Sequence, residues 1–175
     1  MDFQPSVRTI TRRLHPDLKL SSAAVELLNF LMNEVMSHLV EQAVFLMTSS
    51  PKRNTVLSSK ELRTALRIQF PLDFVKSLIS HAHETHSQEK VLDTNTVARL
   101  LRKILPCSFP YDDSVVPFLT QVLQDIMITL LFQSGNLTRT LGRIILTKAH
   151  LRDVIHHDFE LCHLFEKMNL FIPAI

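Results

Sequence analysis

Nine histidines and two cysteines are the side chains of this sequence best suited to hold a metal or attack a substrate. His81, His83 and His86 gather with Glu84, and His156, His157 and His163 gather around Cys162. Zinc needs ligands that converge tetrahedrally. The run His83-Glu84-Thr85-His86 lacks the His-Glu-x-x-His spacing that sets two imidazoles on one helix face. Positions 81 and 83 of a helix point about 200° apart. Both groups read as surface histidines, and no metal site is expected. Cys162 precedes His163, but sequence neighbours on a helix face apart, so no thiolate–imidazole pair is expected. Cys107 and Cys162 form no Cys-x-x-Cys, which argues against a disulfide framework or a zinc knuckle and for a reducing compartment. Only two glycines, Gly135 and Gly142, are present, too few for a phosphate loop or a dinucleotide fingerprint. With no nucleophile, base or cofactor assembled, an enzyme is not expected, and neither is a small-molecule substrate.

Binding chemistry remains, and charge is its main carrier. Nineteen Lys and Arg face seventeen Asp and Glu, a net charge of +2. The pI near 8.7 is mildly basic, short of a dedicated nucleic-acid binder. The 175 residues allow one domain or two very small ones, and 46% hydrophobic residues supply a core. Met1-Asp2-Phe3-Gln4-Pro5 reads as neither signal nor transit peptide. Apolar runs are broken by Asn, Gln, Glu or Arg, so no membrane span is expected.

The elements that must position these charges are helical almost throughout. Ala24, Leu27, Leu28, Leu31, Val35, Leu39, Ala43 and Leu46 keep the three-and-four spacing of one helix face over Ser21–Met47. That is a rod of about 40 Å. Ser21 and Ser22 are its candidate caps, and Pro51 closes it. A short helix over Val7–Leu14 ends before His15-Pro16. Ser58 or Ser59 opens a helix that Pro71 stops, and another runs from Leu72 to about His86. The order then returns: a short helix over Thr94–Ile104, a long one from Val115 to about Thr138, and a short one from Thr147 to Ile155. Asp158 opens a last helix to Glu166. The pattern predicts an all-α chain of two units, 1–90 and 91–175, clasped along their long helices.

His15-Pro16-Asp17, Ser21-Ser22, Asn29, Asn33, Lys52-Arg53-Asn54-Thr55, Ser58, Glu61, Thr64-Ala65, Arg67 and Pro71 together resemble the core histone H-two-B, in order and near register. Arg99-Leu100-Leu101-Arg102-Lys103, Leu119 to Leu123, Gly135-Asn136 with Arg139, His150-Leu151, and Asp158 to Leu164 resemble, less closely, its partner H-two-A. The whole resembles a fused histone doublet, similar to those of some giant viruses and to the pseudodimer of Son of Sevenless and ankyrin–BTB proteins. The resemblance implies two histone folds forming a handshake within one chain.

The resemblance also implies where partners would sit. Duplex DNA would meet Arg12, Arg13, Lys52, Arg53, Thr55, Arg99, Arg102, Lys103 and Arg143, without reading sequence. Asp112 and Asp113 oppose Lys52 and Arg53, Ile145 stands where the family places a minor-groove arginine, and basic tails are lacking. DNA binding is therefore expected to be weak. Asp73, Asp158 and Glu160 match part of the acidic patch on which partners dock, while Gln124, Thr129 and Phe132 replace its acids and His81 another. An outward Phe132 would give an apolar contact; an inward one would fill core. The expected role is a non-enzymatic, nuclear, monomeric histone pair binding DNA or other histone-fold proteins, without cofactor and outside the ordinary octamer. The alternative is a cytoplasmic regulatory module that binds proteins or anionic lipid.

Overall fold

The computed structural model describes residues 3–49, 56–70, 75–76, 91–105 and 109–168. In chain order these form α1 (Gln4–Leu14), β1 (Lys19–Leu20), α2 (Ser22–Ser49), α3 (Ser59–Gln69), α4 (Thr94–Ile104), α5 (Val115–Thr140), β2 (Ile145–Leu146), α6 (Lys148–His157) and α7 (Phe159–Lys167). The order short helix, long helix, short helix occurs twice. Of the helix expected over Leu72–His86, only 75–76 falls among the described residues, and it is helical there.

Local signals set most boundaries. Pro5 stands in the first turn of α1, where its missing N–H costs nothing, so the helix begins before the expected Val7. The Ser21 hydroxyl accepts the Ala24 N–H at 3.2 Å and caps α2. Ser58 and Glu61 form a reciprocal capping box at α3. Asp93 caps α4 by accepting the N–H groups of Asn95 at 3.1 Å and Thr96 at 3.0 Å.

The Thr96 hydroxyl also donates to Asp93, at 2.7 Å, and is the main influence holding its pKa below the usual carboxylate value. Replacing Asp93 by alanine is expected to cost about 1 kcal/mol of stability at pH 7. A depressed pKa contributes stability that is complete above about pH 4 and is lost as pH falls through the folded value. Thermal melts of Asp93→Ala and the parent should therefore draw together as pH falls below about 4; a gap independent of pH would contradict the cap.

The two helix series interlock. α2 packs on its flanking helices α1 and α3, but also on α4 and α6. α5 packs on α4 and α6, and also on α1 and α3. Each long helix thus touches short helices from both series, and one continuous apolar core, from Phe3 through Leu28, Leu66, Leu101, Leu123 and Leu151 to Met168, runs through them. By length and composition α5 is apolar enough to cross a membrane, more so than the interrupted runs suggested. Its buried share, 72% of the most apolar stretch, is that of a core helix.

Two short parallel pairings join segments distant in the chain. Lys19 pairs with Ile145 and Leu20 with Leu146. At the other pairing Leu57 bridges Tyr111: its N–H donates to the Pro110 carbonyl, and its own carbonyl accepts from the Asp112 N–H, both at 2.9 Å.

Candidate functional site

The β1–β2 pairing brings the end of α1 against the turn that follows α5. Directly opposed residues of a ladder project to one side, and Lys19 and Ile145, both exposed, form such a pair. Arg8 and Arg12 lie one turn apart on α1 and share a face. With Lys19 they surround a depression of about 320 Å³, floored by Thr11, Leu18 and Leu20. Arg143 stands exposed two residues before Ile145. Among the described residues, no acid forms an ion pair with Arg8, Arg12, Lys19 or Arg143. The acid beside them, Asp17, is engaged by Arg139, whose Nε donates to it at 3.0 Å and whose Nη2 completes the pair. That hydrogen bonding lowers the Asp17 pKa and raises that of Arg139.

His15 fixes this end against α5. It is buried, and its Nε2–H donates to the Phe132 carbonyl at 3.3 Å while its ring stacks on the Phe132 ring at 6.1 Å. The imidazole lies directly over Gly135, where any Cβ would collide with it. The His-Pro motif and Gly135 are therefore two sides of one contact.

The other expected DNA residues are dispersed. Arg13 ends α1, exposed. On α4, Arg99 bonds its own helix, with Nη2 3.3 Å from the Thr96 hydroxyl, while Arg102 and Lys103 are exposed in the last turn. Lys52, Arg53, Thr55 and Asp73 lie outside the described residues, as do His81, His83 and His86. Asp112, expected to cancel charge, also organises the start of α5: its carboxylate accepts the Ser114 N–H at 2.9 Å and hydroxyl at 2.5 Å, and the Ser114 Oγ accepts the Ser59 N–H at 3.1 Å.

The expected partner face is corrected in one respect. Gln124 is not on the surface: it is 3% exposed, and its Oε1 accepts the N–H groups of Val91 at 2.9 Å and Leu92 at 3.1 Å. Thr129 is half-buried and donates to the Asp125 carbonyl. Phe132 does point outward, 51% exposed. Asp158 caps α7 through the Leu161 N–H and accepts from Gln133, both at 2.9 Å, and Glu160 is half-buried.

Among the described residues no three His, Cys, Asp or Glu side chains gather to hold a metal. His156 and His157 are exposed, and His163 stacks on Phe159. Partial burial and the Glu166 carboxylate push the Cys162 thiol above its ordinary pKa, the reverse of what a nucleophile needs.

No family model matches the chain. Its architecture is similar to that in the crystal structure of the histone from Methanopyrus kandleri, with a TM-score of 0.60 over 87% of this chain and 91% of that one. The chain has an all-α, histone-like fold. Sequence identity with that histone is 13%, so the likeness concerns the fold alone. Within this histone-like fold, two exposed cations at the β1–β2 end, Arg8 and Lys19, were not singled out from sequence. The four-residue spacing of Arg8 and Arg12 was the available signal for the first. Nothing local marked Lys19, because its neighbours come from a strand 126 positions later in the register Lys19↔Ile145.

Proposed function

We propose that this chain is a single-chain pair of histone folds, 1–90 and 91–175, that binds the phosphate backbone of duplex DNA weakly and without sequence preference as a structural protein of chromatin. The observation that carries this reading is the set of exposed cations, Arg8, Arg12, Lys19 and Arg143, collected at one end without acidic partners among the described residues. Such a set fits successive phosphates, whose contacts position a protein without reading bases. The histone-like architecture supports the same reading. The reading involves no cofactor and no catalytic step, and it places the protein in the nucleus.

Titration of a labelled 30-base-pair duplex tests it. Three to four phosphate contacts should make the affinity fall roughly 40- to 150-fold between 50 and 200 mM salt. Reversing Arg8, Arg12 and Lys19 to Glu should weaken binding by more than about tenfold on every sequence and flatten that salt dependence. Equal affinity in the parent and the reversed variant would overturn the assignment. A second reading, a regulatory module that binds proteins or anionic lipid outside chromatin, is favoured by one observation. Phe132, where the resemblance would place an acid, is an outward aromatic of the kind that anchors protein interfaces.

A further inference from the structure

The turn after α5 carries three large aliphatic side chains in solvent. Leu141 is 52% exposed, Ile144 66% and Ile145 45%. A loose loop would make this unremarkable, but the turn is braced. Gly142 takes a left-handed conformation at φ 64°, and the Arg143 N–H donates back to the Thr138 carbonyl at 2.9 Å, the closing bond of a helix-terminating motif. The Ile144 carbonyl is held in turn by the Lys19 N–H at 2.9 Å. The backbone therefore presents Ile144 and Ile145 outward from a fixed position, beside a surface groove of about 600 Å³. Contiguous exposed apolar surface of this kind marks a contact site.

The surrounding charge narrows the partner. Arg143 adjoins Ile144 in sequence, Lys19 opposes Ile145 across the ladder, and Arg8 and Arg12 flank Lys19. Asp153, on the groove wall, is the acid on the far side, and Asp17 is taken up by Arg139. An aliphatic tip flanked by cations that no acid among the described residues pairs with complements a polyanion with an apolar interior. Stacked base pairs between two phosphate backbones fit that description. Proteins that insert aliphatic wedges between base steps do so from the minor groove and kink the duplex.

Building on the DNA reading above, we infer that Ile144 and Ile145 form a wedge that unstacks a base step from the minor groove while Arg8, Arg12, Lys19 and Arg143 hold the flanking phosphates, so that binding bends the DNA. Flexible pyrimidine–purine steps should bend more than stiff A-tracts, while the phosphate contacts set the affinity on every sequence.

The test uses the full chain and a 30-base-pair duplex with a central TA step, labelled at both ends for energy transfer. The parent should shorten the end-to-end distance at saturation. The double variant Ile144→Ala, Ile145→Ala should bind about tenfold more weakly, keep the same salt dependence and leave the duplex straight. The single variant Ile144→Lys, at the most exposed position, should keep affinity and lose the bend; it serves if the double variant melts early. Bending that persists in both variants, or is absent from the parent, overturns the wedge while leaving the DNA reading intact. Failure of the parent to bind the duplex at 50 mM salt overturns the DNA reading itself. Vesicles of phosphatidylserine and phosphatidylcholine provide the remaining arm. Partitioning of the parent that both variants lose, with no DNA bend, would assign the aliphatic tip to a membrane surface and overturn the wedge.

Discussion

Replacing Gly135 by alanine is expected to destabilise the protein by about 2–3 kcal/mol, although a glycine-to-alanine change inside a helix ordinarily stabilises by about 1 kcal/mol. The reversal follows from His15, which is 1% exposed and whose ring occupies the space the new methyl group would need. The imidazole cannot swing away cheaply. Its Nε2–H is committed to the Phe132 carbonyl, its ring is stacked on Phe132, and its backbone N–H caps α1 by donating to the Thr11 carbonyl at 2.8 Å. For a chain of this size the change should lower the midpoint of thermal unfolding by roughly 5–10 °C. The double variant His15→Ala, Gly135→Ala separates the causes. With the ring gone the methyl group has room, so adding Gly135→Ala to His15→Ala should be neutral or stabilising, a coupling visible in a mutant cycle. A Gly135→Ala variant as stable as its parent would show that α1 and α5 are not in register through this contact.

Cutting the chain near Gln88 is expected to leave two fragments, each unable to fold or stay soluble alone. The physical ground is where each long helix finds its cover. α5 buries sixteen residues, including the polar Thr120, Gln121, Gln124, Asp125, Ser134 and Thr138, and part of that cover comes from α1 and α3, which precede the cut. α2 buries twelve residues and relies likewise on α4 and α6. Apart, each fragment would expose an apolar face much larger than a soluble monomer carries. Mixing denatured fragments and removing denaturant together should restore helical circular dichroism; refolding them separately should give precipitate. Two soluble, independently helical fragments would contradict the interlocked arrangement.

Local chemistry explains how much was legible in the sequence. A helix start depends on residues within one turn, so Ser21, Ser58 and Asp158 announced their caps, and the three-and-four spacing announced α2 and α5. The twofold return of the pattern followed from that order, while the resemblance to histones rested on particular residues such as His15-Pro16-Asp17 and Ser58 with Glu61. The short helices α4, α6 and α7 began within a residue of their expected starts for the same reason.

What periodicity does not carry is which face a neighbour covers. Gln124 stood among positions expected on the surface, yet the segment at Val91 and Leu92 lies over it and spends its carbonyl on two backbone N–H groups. Phe132 was balanced between core and surface, and its ring stands outward, stacked on a histidine 117 positions earlier in the chain. The two-residue ladder and the single bridge are too short to leave an alternating pattern, and each joins segments more than fifty residues apart in the chain. The sequence by itself determined the helices, their caps and their order, because those depend on hydrogen bonds spanning a few residues. The tertiary structure alone decided that Arg8, Arg12, Lys19, Arg143 and two isoleucines share one end, because that neighbourhood exists only where the loop after α5 closes on the strand after α1.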